Sequence, residues 1–414
     1  MAPFPGVAVR AAAAVSLVAA VAAAAAGATY CGTSWAAAGA CSRACPSGTD
    51  AECGPGEACY ADVRCARNFC GSTYAAATAC GRQCPAGTDG DGFTSAALVA
   101  AAPRYTHLAW AFAAVGVDGS LVPAAAGDPA AWRSFNAAVK AAAPGLHTSL
   151  AVGGWAFSSG ATAGRWSAMV ATPRTRAAFV TSAVQTLTAG GFDGLDIDWE
   201  FPGAPDRGGR PTDAAGLVAL VTDLRAAFST AGGRRLGLTV ALPAGGPYAR
   251  GFDVARLAPH VDWFHVMAYD LAGGGRVTGA HTGIAGVTAA VRLYRGAGVP
   301  PSRLVLGTAA YGRTWAVVDA AACAAGGGRA CAASGVGRAG ACSGEAGFLS
   351  NREIAAARAR SPPVGGVLDG AAWALVDGDT YVSYDTAATL EVKRAYARAQ
   401  GLRGWMVWSV DQVV

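Results

Sequence analysis

Short apolar runs alternate with longer amphipathic stretches from about residue 93 onward, and this alternation constrains the fold most strongly. Apolar runs of strand length between helical patterns are typical of βα units that build a parallel sheet. We therefore predict an α/β fold, a TIM-type (β/α)8 barrel, over residues 93–414. The predicted strands are His107–Val115, His147–Val152, Gly194–Trp199, Leu236–Ala241, Trp263–Tyr269, Leu304–Ala309 and Trp405–Ser409, and the predicted helices include Asp128–Ala142, Thr212–Ser229, Gly283–Ala297 and Thr386–Gln400.

The predicted barrel has only seven strands. Residues 96–102 are alanine-rich and fit better as the first helix, so we expect the first strand to be missing. The sequence stops at Val414, directly after the last predicted strand, so we expect the last helix to be missing as well. A barrel that lacks one strand exposes unpaired edges.

Residues 316–385 interrupt the alternating pattern. They contain Cys323, Cys331 and Cys342, a glycine-rich patch and short apolar pieces. We interpret this segment as a small α+β domain inserted after the seventh barrel strand, where the loops of such barrels surround the active site.

Residues 1–28 combine a lone Arg10, an apolar run and the small residues Ala26-Gly27-Ala28. This pattern predicts a cleaved signal peptide, and an uncleaved membrane anchor is the alternative. The 12 cysteines are consistent with an oxidising compartment and disulfide bonds. We therefore expect a secreted, extracellular monomer that does not associate with a membrane after signal cleavage.

A cysteine-rich module over residues 29–69 recurs as a truncated second copy over residues 70–92. The second copy keeps three cysteines, so at least one of its thiols pairs outside the repeat or stays free. Trp35 in the first copy and Tyr74 in the second suit stacking on a sugar ring. A structural spacer whose aromatic residue is buried explains the module equally well.

The composition excludes several classes of protein. Charged residues make up 14% of the chain and the formal net charge is +5, without the clustered basic surface that nucleic acids require. The five histidines show no ligand spacing, so we expect neither a metal nor another cofactor.

The segment Asp193-Gly-Leu-Asp-Ile-Asp-Trp-Glu200 places carboxyl groups at alternate positions of a predicted strand. Residues two apart face the same side, so Asp196, Asp198 and Glu200 project together while the apolar residues between them bury the other face. Repulsion and burial raise the proton affinity of at least one group, as protonation of a glycosidic oxygen requires. Glu200, at the carboxyl end, is the predicted acid. A calcium site or a solvated acidic edge is the less favoured alternative.

This segment resembles the DxxDxDxE signature of glycoside hydrolase family 18 chitinases, and further motifs follow in the family's order. Together the similar segments cover nearly the whole chain after residue 93. They are Thr106–Ala113, similar to the second strand; Leu150–Trp155, similar to the SxGG motif but with Ala151 in place of serine; Met267–Asp270, similar to the MxYD motif; Tyr311–Arg313, which follows the seventh strand; and Gly404–Asp411, similar to the eighth strand.

The resemblance implies hydrolysis of β-1,4 N-acetylglucosamine linkages in chitin or chito-oligosaccharides, with retention and with the substrate's acetamido oxygen as nucleophile. It implies that Glu200 is the general acid/base, that Asp198 orients the acetamido group, and that Asp196 adjusts the charge of Asp198. It also implies that Tyr269 binds the acetamido oxygen. The implied substrate-binding residues are Trp408 as the floor, together with Trp155, Phe112, Met267, Asp270, Tyr311, Arg313 and, in the inserted domain, Glu353.

Two other functions stay open. A catalytically impaired chitin-binding lectin is favoured by the missing strand, whereas the presence of Glu200 favours an enzyme. An endo-β-N-acetylglucosaminidase that acts on N-glycans is the second alternative, and the inserted domain favours chitin over it. For Phe112 and Met267, simple packing in the core is a substantial alternative to substrate binding.

Overall fold

A computed structural model describes residues 6–9, 29–32, 58–61, 94–229, 233–340, 343–360 and 367–413. The strands are β1 Gly6–Val9, β2 Thr29–Gly32, β3 Ala58–Ala61, β4 His107–Val115, β5 Leu121–Val122, β6 His147–Gly153, β7 Gly194–Asp198, β8 Gly237–Pro243, β9 Trp263–Met267, β10 Leu304–Ala309, β11 Tyr311–Val317, β12 Ala333–Val336, β13 Phe348–Ser350, β14 Val367–Leu368, β15 Ala372–Asp377, β16 Thr380–Tyr384 and β17 Gly404–Trp408. The α-helices are α1 Ser95–Ala101, α2 Asp128–Ala142, α3 Gly154–Phe157, α4 Arg165–Val170, α5 Pro173–Gly190, α6 Asp213–Phe228, α7 Val254–Leu257, α8 Ile284–Gly296, α9 Ala320–Ala325, α10 Asn351–Arg360 and α11 Ala387–Ala399.

Parallel strands of the described residues form a closed ring in the order β1, β4, β6, β7, β8, β9, β10, β17 and back to β1. Helices lie between successive strands along the chain, as in a (β/α)8 barrel. The predicted barrel is therefore confirmed. Strands β4 and β10 and helix α2 have the predicted bounds.

The first strand differs from the prediction, because β1 occupies the position that the sequence analysis left empty. Val7 pairs with His107 of β4 on one side and with Met406 of β17 on the other. β1 lies within residues 1–28, which were assigned to a signal peptide. Apolar residues suit both a signal sequence and a strand of a parallel sheet, so the sequence pattern alone does not separate the two. In the described residues, β17 is followed by the 3-10 helix Val410–Gln412.

Local sequence fixes the ends of helix α5. Thr172 precedes the helix and accepts a hydrogen bond from the backbone N–H of Thr175, and Pro173 occupies the first helical position. The helix ends at Gly190, and the next residue, Gly191, caps it with a φ of +78° that suits glycine. The chain is thereby returned to the start of β7, the strand that carries the acidic residues.

The main core lies between the barrel strands and the surrounding helices, and its largest fully buried side chains include Trp110, Trp166 and Trp199. A second cluster lies inside the barrel. It combines small side chains on β4 and β6 with larger ones on the opposite strands, namely Ala109, Ala111, Ala151, Trp263, Val305 and Met406. The small residues on β4 and β6 therefore allow bulky side chains to enter the barrel from β9 and β17.

The inserted domain is an antiparallel sheet in the order β12, β11, β16, β15, β14, with β13 also paired to β11. Helix α10 packs on it through Ile354 and Ala357, and a disulfide bond joins Cys323 to Cys331. The predicted insertion is confirmed, but its sheet begins at Tyr311 rather than near residue 316. Only one residue separates β10 from β11, so the sequence pattern does not reveal the new strand.

The cysteine-rich repeats lie largely outside the described residues, and so do Trp35 and Tyr74. Strands β2 and β3 are antiparallel, and position 31 lies opposite position 59. Within the described part of the chain, none of the helices is both long enough and apolar enough to span a bilayer.

Candidate active site

Strand β7 brings the predicted acidic residues together in the barrel. Asp196 and Asp198 lie on β7 and Glu200 follows it, and their exposed fractions are only 2%, 8% and 9%. The residues between them, Leu195, Ile197 and Trp199, belong to the core outside the barrel. The strand therefore alternates as predicted, with the acids on the inner face.

Asp193, the first acidic residue of the motif, lies at the opposite end of this segment. Its carboxylate forms ion pairs of 2.7 Å with Lys140 and Arg234 and accepts a hydrogen bond from the backbone N–H of Thr148. Asp193 therefore anchors the start of β7 and does not join the other three acids.

Asp196 is held by side chains from β8 and β9. Its Oδ1 accepts hydrogen bonds from the hydroxyl of Thr239 and from Nδ1 of His265, the latter at 3.1 Å. Nε2 of His265 accepts a hydrogen bond of 2.7 Å from the indole N–H of Trp263, so the imidazole carries its proton on Nδ1. On the other side of β7, Ala151 lies opposite Asp196 and offers no polar side chain. Asp196 is therefore oriented from one side only.

Burial changes the acidity of the next two carboxyl groups. It raises the pKa of Asp198 well above its ordinary value, and the charges of Glu200 and Asp196 raise it further. Burial also raises the pKa of Glu200 to about 7, while the cation of Arg207 opposes this rise and Asp270 adds to it. Oδ1 of Asp198 is buried and, among the described residues, has no hydrogen-bond partner. Asp198 and Glu200 can therefore hold a proton near neutral pH.

The carboxylate of Asp270 closes the site beyond β9. It accepts one hydrogen bond of 2.8 Å from the hydroxyl of Tyr311 and two, of 2.7 and 2.8 Å, from Arg313. Burial raises the pKa of Asp270, but the hydrogen bonds and the charge of Arg313, with a contribution from the nearby His281, outweigh this and hold it well below its ordinary value. Asp270 therefore remains a carboxylate near neutral pH.

Tyr269 lies among these acidic groups. Burial raises the pKa of its phenol well above the ordinary value, and the charges of Asp198, Glu200 and Asp270 raise it further. The phenol is therefore protonated and can donate a hydrogen bond to a neutral acceptor.

Aromatic rings and two glycines shape the inside of the site. The rings of Phe112 and Trp408 lie 5.5 Å apart and pack with Tyr269 in the cluster inside the barrel. Gly153 and Gly154 have φ of +108° and +85°, and a Cβ on them would lie 2.1 Å from the carbonyl oxygen of Asp198 and 2.6 Å from the Phe112 ring, respectively. Both positions therefore require glycine.

Trp155 and Arg207 form a pair at the edge of the site. Trp155 is 57% exposed, and the guanidinium carbon of Arg207 lies 3.6 Å from its ring centroid. Arg207 itself is only 8% exposed, and it donates hydrogen bonds to the backbone carbonyls of Glu200 and Trp155, at 3.1 and 2.8 Å. A buried cation therefore connects the predicted acid to an exposed aromatic ring.

Two predicted binding residues make contacts within the protein itself. Met267, on the same face of β9 as Trp263 and His265, is partly buried and contacts residues of the main core. Glu353 accepts hydrogen bonds of 3.0 Å from the backbone N–H groups of Ser343 and Ser350, and its own N–H donates to the Ser350 hydroxyl. Ser350 and Glu353 thus form a capping box at the start of α10, a role that the sequence analysis did not predict.

The sequence analysis missed Arg207, Thr239, Trp263 and His265. Alternation along β9 places Trp263 and His265 on the same face as Met267, and this signal could have identified them. Arg207 lies in the 3-10 helix Pro205–Arg207, where no periodic pattern indicates burial.

The comparison with known proteins identifies the class of this chain. The model of glycosyl hydrolases family 18 matches residues 85–412, and the chain belongs to this family, as its sequence motifs predicted. It is 34% identical to chitotriosidase-1 of Mus musculus over 325 residues, which are 74% of this chain and 66% of that protein. It is 30% identical to chitinase A1 of Niallia circulans over 302 residues, 65% of this chain and 41% of that protein. The chain thus spans less than two thirds of the length of either relative.

Solved structures agree with this assignment. The family 18 chitinase from Cycas revoluta in complex with (GlcNAc)3 superposes with a TM-score of 0.67 at 27% identity, covering 75% of this chain and 90% of that one. The Group IV chitinase of Ostrinia furnacalis in complex with allosamidin gives a TM-score of 0.65 at 28% identity, with 75% and 86% covered.

Proposed function

We propose that this protein hydrolyses β-1,4 N-acetylglucosamine linkages in chitin and chito-oligosaccharides by a retaining, substrate-assisted mechanism. Its similarity to chitinases supports the substrate, including the family 18 structure that holds (GlcNAc)3. The arrangement of Asp198, Glu200 and Tyr269 supports the mechanism.

In the proposed reaction, Glu200 donates its proton to the glycosidic oxygen while the acetamido oxygen of the same sugar attacks the anomeric carbon. The glycosidic bond breaks as the new carbon–oxygen bond forms, giving a cyclic oxazolinium ion. The Glu200 carboxylate then takes a proton from water, which opens this ring with net retention.

The other polar groups act on the acetamido group. Asp198 accepts a hydrogen bond from its N–H and stabilises the positive charge that develops on it, and Asp196 adjusts the charge of Asp198. Tyr269 donates a hydrogen bond to the acetamido oxygen. Trp408 and Phe112 form the floor, and Asp270, held by Tyr311 and Arg313, borders the site.

One observation carries this proposal: Glu200, with its pKa raised to about 7, lies beside Asp198, whose buried Oδ1 has no hydrogen-bond partner in the described part of the chain. A protonated acid and an unpaired acceptor are the two groups that a substrate-assisted mechanism requires. An ordinary pair of catalytic carboxylates would need no acetamido group on the substrate.

Two aryl glycosides that differ only in the acetamido groups test the proposal. We expect an aryl β-chitobioside to be hydrolysed with the β-anomer as the first product by NMR, and the matching aryl β-cellobioside to resist hydrolysis. Equal hydrolysis of both, or an α-anomer as first product, would contradict the mechanism. Release of glycans from a glycoprotein without any hydrolysis of chitin would replace chitin by N-glycans as the substrate.

We further propose that the protein is secreted and that the cysteine-rich modules over residues 29–69 and 70–92 accompany the catalytic domain, with Trp35 as a sugar contact. The 12 cysteines support an oxidising compartment. Binding of the isolated modules to chitin beads, with Trp35→Ala as the control variant, tests the second part of this proposal.

A further inference from the structure

The indole of Trp155 has one face covered and the other open. The Arg207 guanidinium stacks on it at 3.6 Å, yet 57% of the residue remains exposed. The apolar face of a sugar ring stacks on an aromatic ring of this kind, and only the face opposite Arg207 is available for it.

The loop around Arg207 is fixed by a buried carboxylate. Oδ2 of Asp213 accepts hydrogen bonds from the backbone N–H groups of Gly203 and Arg210, at 3.1 and 2.7 Å, and from the hydroxyl of Ser167 at 2.7 Å. Both ends of the loop that contains Arg207 are therefore attached to one side chain. The guanidinium is held in place before any ligand binds.

Arg207 also attaches the aromatic ring to the acid. Its Nε donates to the carbonyl oxygen of Glu200 and its Nη2 to that of Trp155. The backbone N–H of Glu200 donates in turn to the hydroxyl of Ser158, which directly follows the short helix α3 that contains Trp155. The segment from Trp155 to Ser158 is therefore joined to Glu200 at two points.

We propose that Arg207 is a positioning residue that holds Trp155 as a stacking surface for an N-acetylglucosamine ring and fixes the distance between that surface and Glu200. The inference rests on the proposed function and adds a determinant of substrate binding to it. A lysine would keep the charge but would lose the planar stack and the paired hydrogen bonds.

The charge of Arg207 has a second effect, on the acid itself. The titratable groups that face Glu200 are Asp198 on β7, Tyr269 and Asp270 beyond β9, and Arg207. Of these, Arg207 is the cation, and it opposes the rise in the pKa of Glu200. Removal of the Arg207 charge is therefore expected to shift the loss of activity at alkaline pH to higher pH.

Three variants of the same loop separate the two effects. We expect Arg207→Met to weaken chitotetraose binding about tenfold, as for the loss of one desolvated cation–π contact. The same variant should shift the alkaline limb of the kcat/KM profile to higher pH. Arg207→Lys should weaken binding severalfold and leave the limb in place. Arg210→Gln, which removes an exposed arginine three residues away, should change neither. Wild-type binding and an unshifted limb in a folded Arg207→Met protein would overturn the proposal.

Binding is measured by calorimetry in a Glu200→Gln background, where it does not depend on turnover. Failure of the proposed catalysis is therefore distinguishable from failure of this inference. If Arg207→Met does not fold, Arg207→Lys is combined with Trp155→Ala. The lysine substitution should then cause no further loss of affinity, because the ring it positions is absent. Additive losses would show that Arg207 acts independently of Trp155 and would overturn the proposal.

Discussion

Nδ1 of His265 lies 3.1 Å from Oδ1 of Asp196 and donates its proton to that carboxylate, because Trp263 occupies the other ring nitrogen as a donor. This contact orients an acid that lies on the same face of the segment as Asp198 and Glu200. The contact joins strand β9 to strand β7 through residues that the motif Met267–Asp270 does not contain.

We predict that His265→Ala lowers kcat about tenfold with little change in KM, because Asp196 loses a hydrogen bond to a charged group without any change in the binding surface. Asparagine at this position keeps a donor and should restore part of the rate. His147→Ala, which removes an exposed histidine at the start of β6, is the control. Equal kcat values for all three variants would show that His265 has only a structural role in the core.

The pH dependence of activity follows from the raised pKa of Glu200. In the proposed mechanism the protonated acid is the active form, so we expect activity below this pKa and its loss as the pH rises through about 7. A kcat/KM profile on an aryl chitobioside measures this limb. A profile that stays flat through neutral and alkaline pH would contradict the assignment of Glu200 as the proton donor.

We predict that Gly154 is required for the position of the Phe112 ring in the floor of the site. In Gly154→Ala the new Cβ meets the Phe112 ring at 2.6 Å, so the free energy of unfolding should fall by about 2 kcal/mol and kcat should fall as the ring moves. Gly160→Ala is a matched control, since Gly160 also has a positive φ but has nothing within 4 Å of the added Cβ. Urea unfolding compares the two, and equal losses would show that the backbone conformation alone is responsible.

The amino-terminal strand gives a prediction about stability. A chain that begins at residue 29 lacks β1, so β4 and β17 lose their common partner and present unpaired edges. We expect its Tm to lie several degrees below that of the full chain, measured by calorimetry. The same Tm for both would show that β1 contributes nothing to the closed barrel, and amino-terminal sequencing of the secreted protein identifies which form exists after processing.

The barrel was predictable because its strands are separated by helices with clear apolar periodicity. Helix α2 and strands β4 and β10 have the predicted bounds for this reason. Strand β11 was missed because it follows β10 after one residue, and β1 because apolar residues near an amino terminus also suit a signal peptide.

The candidate site was predictable where a motif names its residues and unpredictable where an irregular loop supplies them. Asp196, Asp198 and Glu200 follow from strand alternation. Arg207 does not, because an arginine between proline and glycine residues is ordinarily solvated, and only the tertiary structure shows it buried under Trp155. Glu353 was predicted as a sugar contact, but the sequence could also have identified it as the fourth residue of a Ser-x-x-Glu capping box.

The central claim is that Glu200 is the proton donor of a chitin-hydrolysing enzyme. The most direct test is the initial rate on a fluorogenic chitobioside for the wild-type chain and for Glu200→Gln, with Glu391→Gln, an exposed carboxylate on α11, as the control. We predict that Glu200→Gln loses about a thousandfold in kcat while Glu391→Gln keeps the wild-type rate. Indistinguishable rates for the wild type and Glu200→Gln would contradict the claim.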